Sequence, residues 1–67
     1  MISDILSTYY FSNILITSID GKIFTAYYDP SEDLVYYHED GVEMAPVPLS
    51  LIDDLIGTYA NIDIGEY

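Results

Sequence analysis

The chain has 67 residues, with twelve Asp or Glu against a single Lys, Lys22, and no Arg, giving a formal charge of −11. One cation cannot supply the several phosphate contacts that direct nucleic-acid binding needs, and the same sign argument excludes an anionic membrane surface. Yet 51% of the residues are hydrophobic and 15% aromatic, far from the composition of a disordered acidic chain, so one small folded domain over 1–67 is expected.

Residues 2–10 place Ile2, Ile5, Leu6 and Tyr9 at i, i+3, i+4 and i+7, which predicts a short amphipathic helix. Ser3 and Asp4 fall in its first turn, where acceptors and negative charge suit unpaired N–H groups. Strands follow over 13–19 and 22–29, separated by Asp20-Gly21, a hairpin signal because turn residues of this kind tolerate positive φ. Asp29-Pro30-Ser31-Glu32 has turn chemistry and leads into a third strand over 33–39. A second pair, Asp40-Gly41, opens a fourth run over 42–45, which Pro46 and Pro48 end. Ser50 reads as the N-cap of a helix over 50–60, with Asp53 three residues on as a capping-box variant. Its stripe is Leu51, Ile52, Leu55, Ile56 and Tyr59, and Gly57 weakens it by up to ~1 kcal/mol relative to Ala. Residues 61–67 read as a loosely held tail. The expected fold class is α+β: an N-terminal helix, an antiparallel meander of three or four strands, and a C-terminal helix packed on one sheet face.

The chain has no Cys, which removes disulfides and thiolate metal sites. No apolar run approaches the ~18 residues of a membrane span, and MISDILS lacks the basic start of a signal peptide, so a mature cytoplasmic chain is expected. Catalysis has little to work with. His38 is the single His and reads as a surface residue on the third strand beside Glu39 and Asp40. Paired carboxylates for glycoside hydrolysis need a cleft that so small a domain rarely builds. The acidic turns lack the spacing of a calcium loop. No enzymatic activity, metal or cofactor is expected.

Two features remain. In strands, neighbouring side chains point to opposite faces, so Tyr27-Tyr28 and Tyr36-Tyr37 each put one ring inward and one outward. Tyr28 and Tyr37, on the side shared with Phe24, are the candidates for outward rings of an interaction patch. The second feature is charge density. A globule of this length has a radius of gyration near ~11 Å and a diameter of roughly 28 Å, over which duplex DNA carries on the order of 16 phosphates. Eleven net charges approach that density. The acidic candidates are Asp29, Glu32 and Asp33 at one turn, Glu39, Asp40 and Glu43 at the next, and Asp53 and Asp54 on the exposed side of the last helix.

With this size, this acidity and a helix–sheet–helix order, the chain resembles small phage-encoded inhibitors that imitate DNA, among them anti-CRISPR proteins and inhibitors of uracil-DNA glycosylase. Ile19-Asp20-Gly21-Lys22, followed by Tyr27-Tyr28, is similar to part of a glycosylase inhibitor of small phages. The resemblance implies carboxylates standing in for phosphates or PAM bases against the Arg and Lys that read them. The implied partner is a basic nucleic-acid-binding protein (nuclease, Cas effector or glycosylase) in the host cytoplasm, with a Cas effector's PAM and DNA site foremost. The same residues also suit an immunity or antitoxin protein against a basic toxin, or a homo-oligomer such as a homodimer, associating through a Tyr-rich sheet face.

Overall fold

Alternation with period two decides which side of the chain is covered. Along Asn13–Ser18 (β1), Ile14, Ile16 and Ser18 are buried; along Ile23–Asp29 (β2), Phe24, Ala26 and Tyr28; along Leu34–Glu39 (β3), Val35 and Tyr37. The antiparallel register sets Ile16 beside Phe24, Ile14 beside Ala26, and Ala26 beside Tyr37. These side chains therefore form one continuous apolar surface. Two helices close it: Ile2 and Leu6 of Ile2–Thr8 (α1) and Ile52 and Ile56 of Leu49–Ile56 (α2) join the same core. The computed structural model describes residues 1–65 as an α+β fold with a radius of gyration of 10.5 Å.

The sheet is entirely antiparallel. Val42–Glu43 (β4) and Val47–Pro48 (β5) both pair with the outer edge of β3, at its two ends, and Tyr59–Gly65 (β6) pairs with β1. The spatial order is β4-β3-β2-β1-β6, with β5 also on β3.

The two Asp-Gly pairs make different turns. Asp40 and Gly41 both have positive φ, 50° and 84°, as a two-residue loop that matches strand twist requires. At Asp20-Gly21 only the glycine does, at 90°, and Gly21 N–H donates to the Ser18 carbonyl. The first hairpin is thus the three-residue kind, a tight turn closed by a left-handed glycine.

Several sequence expectations need correction. The expected loose tail contains β6: Ile62 and Ile64 lie opposite Ile16 and Ile14 on the covered side, alternating with Asn61 and Asp63. Only residues 66 and 67 of that tail lie outside the described residues. The second helix begins at Leu49 behind Pro48, so Ser50 is not its N-cap, and it ends at Gly57, whose φ of 78° suits only glycine well. Of its expected stripe, Leu51 and Leu55 are exposed and only Ile52 and Ile56 reach the core. The first helix stops at Thr8, leaving Tyr9 exposed. Pro46 and Pro48 do not end all pairing on this side, because an edge strand tolerates a residue with no N–H.

Asp53 takes no part in a capping box and instead holds the two helices together. Its Oδ1 accepts the Ser3 backbone N–H at 2.9 Å and its Oδ2 accepts the Ser3 hydroxyl at 2.5 Å. Partial burial opposes the charged form, but the Ser3 donors outweigh it and the carboxyl titrates below its ordinary value. A depressed folded-state pKa adds stability above the unfolded value near ~3.9 and loses it as pH falls through the folded value. Asp53→Asn should therefore cost about 1 kcal/mol in urea unfolding at pH 7, and the difference from the parent protein should shrink as pH falls below the unfolded value near ~3.9 and through the lower folded value.

Candidate functional site

The face opposite the helices has no cover among the described residues. Its side chains follow from the register. Tyr36 lies beside Tyr27, which lies beside Asn13, and a second row runs Glu43, His38, Thr25, Leu15, Asp63 from one edge of the sheet to the other. Phe11, held at a φ of 58° with its N–H donating to the Tyr28 carbonyl, brings its ring to 6.1 Å from that of Tyr27. Tyr10 packs edge-on against Phe11 at 5.6 Å. The result is an aromatic band of Tyr10, Phe11, Tyr27 and Tyr36 across the end of the sheet next to the β2–β3 turn.

Carboxylates bound this face at both ends of β3. At the β2–β3 turn, Asp29 accepts the Ser31 N–H at 2.9 Å and the Ser31 hydroxyl at 2.6 Å. The hydroxyl bond leads the effects that hold the Asp29 carboxyl below its ordinary value, with burial opposing. Glu32 accepts the Tyr36 hydroxyl at 2.8 Å and Asp33 accepts the Tyr28 hydroxyl at 2.9 Å. Both tyrosines are pushed above their ordinary value, first by these bonds to an anion and then by burial. At the other end Asp40 accepts the Ile23 N–H at 2.9 Å, while Glu43 stands beside His38. Nearby, Asp20 accepts the Ser18 hydroxyl, the main reason its carboxyl is also held low. Six residues of β3 separate the two ends by about 17 Å at ~3.4 Å per residue.

The single Lys lies off this face. Lys22 Nζ is 3.9 Å from Glu39 Oε2, and Glu39 shares the covered side with Tyr37 and Phe24. Among the described residues the open face carries Glu43, Asp63 and the acidic turn with no Lys or Arg to offset them.

The sequence candidates divide accordingly. Asp29, Glu32 and Asp33 come together at one end, and Asp40 and Glu43 at the other, with Glu39 half-buried against Lys22. Asp53 is a correction: it is half-buried and tied to Ser3, so it is not part of an exposed acidic face. Asp54 is exposed and borders a separate open groove of about 460 Å³, lined also by Met1, Ile2, Gly57 and Tyr59. Tyr28 and Tyr37 are the larger correction. Their rings are 8% and 5% exposed and pack in the core, and Tyr27 and Tyr36 face outward instead. Phe24 does share a side with them, but it is the covered side. The readable signal was charge: Asp29 and His38 alternate in step with Tyr27 and Tyr36, whereas Phe24, Ala26, Tyr28, Val35 and Tyr37 form a charge-free set. Tyr27 and Tyr36 were missed for this reason, Phe11 because it lies between the expected helix and strand, and Asp63 because residues 61–67 read as a tail.

Chemically, the face presents aromatic surface and anions. No three His, Asp or Glu residues cluster as a metal site among the described residues, and no helix there is long and apolar enough to cross a membrane. No protein-family model, curated protein or solved structure matches the chain.

The assignment of faces has a direct consequence for stability. Tyr37→Ala should cost about 3 kcal/mol in denaturant unfolding, as a large core truncation does. Tyr36→Ala, on the open side, should cost less than ~1 kcal/mol.

Proposed function

We propose that the protein is an acidic, DNA-mimicking inhibitor that blocks the basic nucleic-acid-binding site of a DNA-processing or defence enzyme, and that the open sheet face is its binding surface. On this reading it has no catalytic role of its own. The observation that carries it is the layout of that face: anionic groups at both ends of β3, about 17 Å apart, an aromatic band adjoining the group at the β2–β3 turn, and no Lys or Arg between. Seventeen ångströms is about half a helical turn of duplex DNA, whose turn is ~34 Å. Over the 31 Å long axis of this protein, duplex DNA would carry about 18 phosphates at one per ~1.7 Å. A net charge of −11 on a rigid scaffold is of the same order, and such a field steers association with a basic channel.

Aromatic and anionic groups divide the work. Tyr27, Tyr36, Phe11 and Tyr10 offer apolar area that gains from losing water, the usual chemistry of binding anchors. Glu32, Asp29, Glu43 and Asp63 meet the Arg and Lys that would otherwise hold phosphates. A Cas effector's PAM-reading site is the foremost target class, because its arginines read a short duplex in a basic groove. A uracil-DNA glycosylase or a restriction nuclease offers related chemistry.

Displacement of a fluorescent duplex from purified enzymes of these three classes tests the reading. Inhibition should be competitive with the duplex and should weaken at least tenfold between 50 and 300 mM salt, as screening shortens the reach of the charges. Triple reversal of Glu32, Glu43 and Asp63 to Lys should abolish inhibition while leaving the unfolding transition in place. A folded triple variant that still displaces duplex would overturn the proposal.

A further inference from the structure

The two edges of the sheet are built differently. The β3 edge is closed by β4 and β5, two-residue strands followed or interrupted by Pro46 and Pro48. Short strands and prolines of this sort discourage further pairing. The β6 edge is neither short nor broken by proline, and its register with β1 shifts only near Tyr59. It is seven residues long, Tyr-Ala-Asn-Ile-Asp-Ile-Gly, with one charge, no Lys and no Pro. Among the described residues nothing pairs with its outer side. Over residues 61–65, where its pairing with β1 is regular, about half of its N–H and C=O groups point away from β1, a template for one more strand.

We propose that this edge pairs with a second copy of the chain, β6 against β6, antiparallel about a two-fold axis through Ile62. The sequence of the strand selects that centre. An axis at Asp63 would set the two Asp63 carboxylates directly opposite each other, which is unfavourable. An axis at Ile62 instead sets Asp63 opposite Asn61 and brings Ile64 to Ala60, where the register with β1 shifts. Ile64, 44% exposed on the helix-covered side, then gains a neighbour across the join. A ladder over residues 60–64 forms about four to six backbone hydrogen bonds. The two-fold is perpendicular to the sheet, so both open faces lie on the same side and both pairs of helices on the other. The closed, isologous contact stops at two copies because the β3 edges are blunted.

The salt dependence separates this contact from target binding. Two chains of −11 repel, so screening strengthens the dimer, whereas the same salt weakens the attraction for a basic partner. The proposal stands apart from the proposed function, and either can fail alone.

Sedimentation velocity on the intact chain, from 10 µM to 1 mM and in 50 mM and 1 M NaCl, reads the equilibrium. The dimer fraction should rise with salt. Asn61→Asp, which puts carboxylates opposite each Asp63, should weaken dimerisation at least fivefold at low salt, and Asn61→Lys should strengthen it by a similar factor. The chain has no Cys, so a single introduced thiol reports register. Ile62→Cys sits on the axis facing its own copy, at the ~4.5–5.5 Å Cα separation of opposed strand residues, within disulfide reach. It should cross-link at least tenfold faster than Thr8→Cys, which is exposed on α1. A monomer at 1 mM in high salt, equal responses to the two Asn61 variants, or equal cross-linking of the two thiols overturns the proposal.

Discussion

The structure depends on how a chain with twelve carboxylates and a single Lys keeps its anions from pulling the fold apart. Cations are nearly absent, so neutral donors hold them. Ser18 serves Asp20, Ser31 serves Asp29, Ser3 serves Asp53, Tyr28 serves Asp33, Tyr36 serves Glu32, and the Ile23 N–H serves Asp40. A hydroxyl fixes the position of a carboxylate without cancelling its charge. Turn geometry and helix docking are thereby secured while nearly all of the negative field still reaches the surface. An arginine in any of these places would have held the turn equally well and removed a unit of charge. The choice of donor therefore links the stability of the turns to the character of the surface they carry.

That economy extends to the two faces. The covered side needs continuous apolar area and takes the phase of the alternation whose one charge in β1, β2 and β3 is Glu39, at the end of β3. The open side takes the other phase, with its Tyr, Thr, Asp and His. Tyr appears in both phases, which lets the protein use one residue type for two purposes. In Tyr28 the ring fills the core while the hydroxyl reaches Asp33; in Tyr36 the ring stays in water and the hydroxyl reaches Glu32.

Much of the fold was legible from local signals, and the errors have physical causes. β1, β2 and β3 were readable within a residue or two because β-branched and aromatic runs alternate cleanly and Asp-Gly pairs punctuate them. β6 was not, because only Ile62 and Ile64 carry its alternation, and Asn61, Asp63 and Gly65 dilute it to the appearance of a tail. Its pairing with β1 is a tertiary fact that no local window contains. The second helix was found but misframed, since Ser50 and Asp53 satisfy a capping pattern while Asp53 is claimed by Ser3, 50 positions away. The exposure of the acidic turns was readable because turn residues lie at the surface almost by definition. The tyrosine face was missed because a doublet is ambiguous about phase, and only the charged neighbours Asp29 and His38 settle it.

The place of β1 in the sheet also governs the order in which this molecule can assemble. β2 and β3 meet through a four-residue connection, and β1 and β2 through one as short, so these hairpins close in microseconds. The other side of β1 pairs Asn13 with Gly65 and Ile16 with Ile62, contacts whose sequence separation makes loop closure the slow step. During synthesis β1 must wait, one flank bare, until residues 59–65 have been made. Its apolar residues are then open to any passing strand, and the negative charge of the nascent chain, which repels its own kind, is the guard it has during that interval.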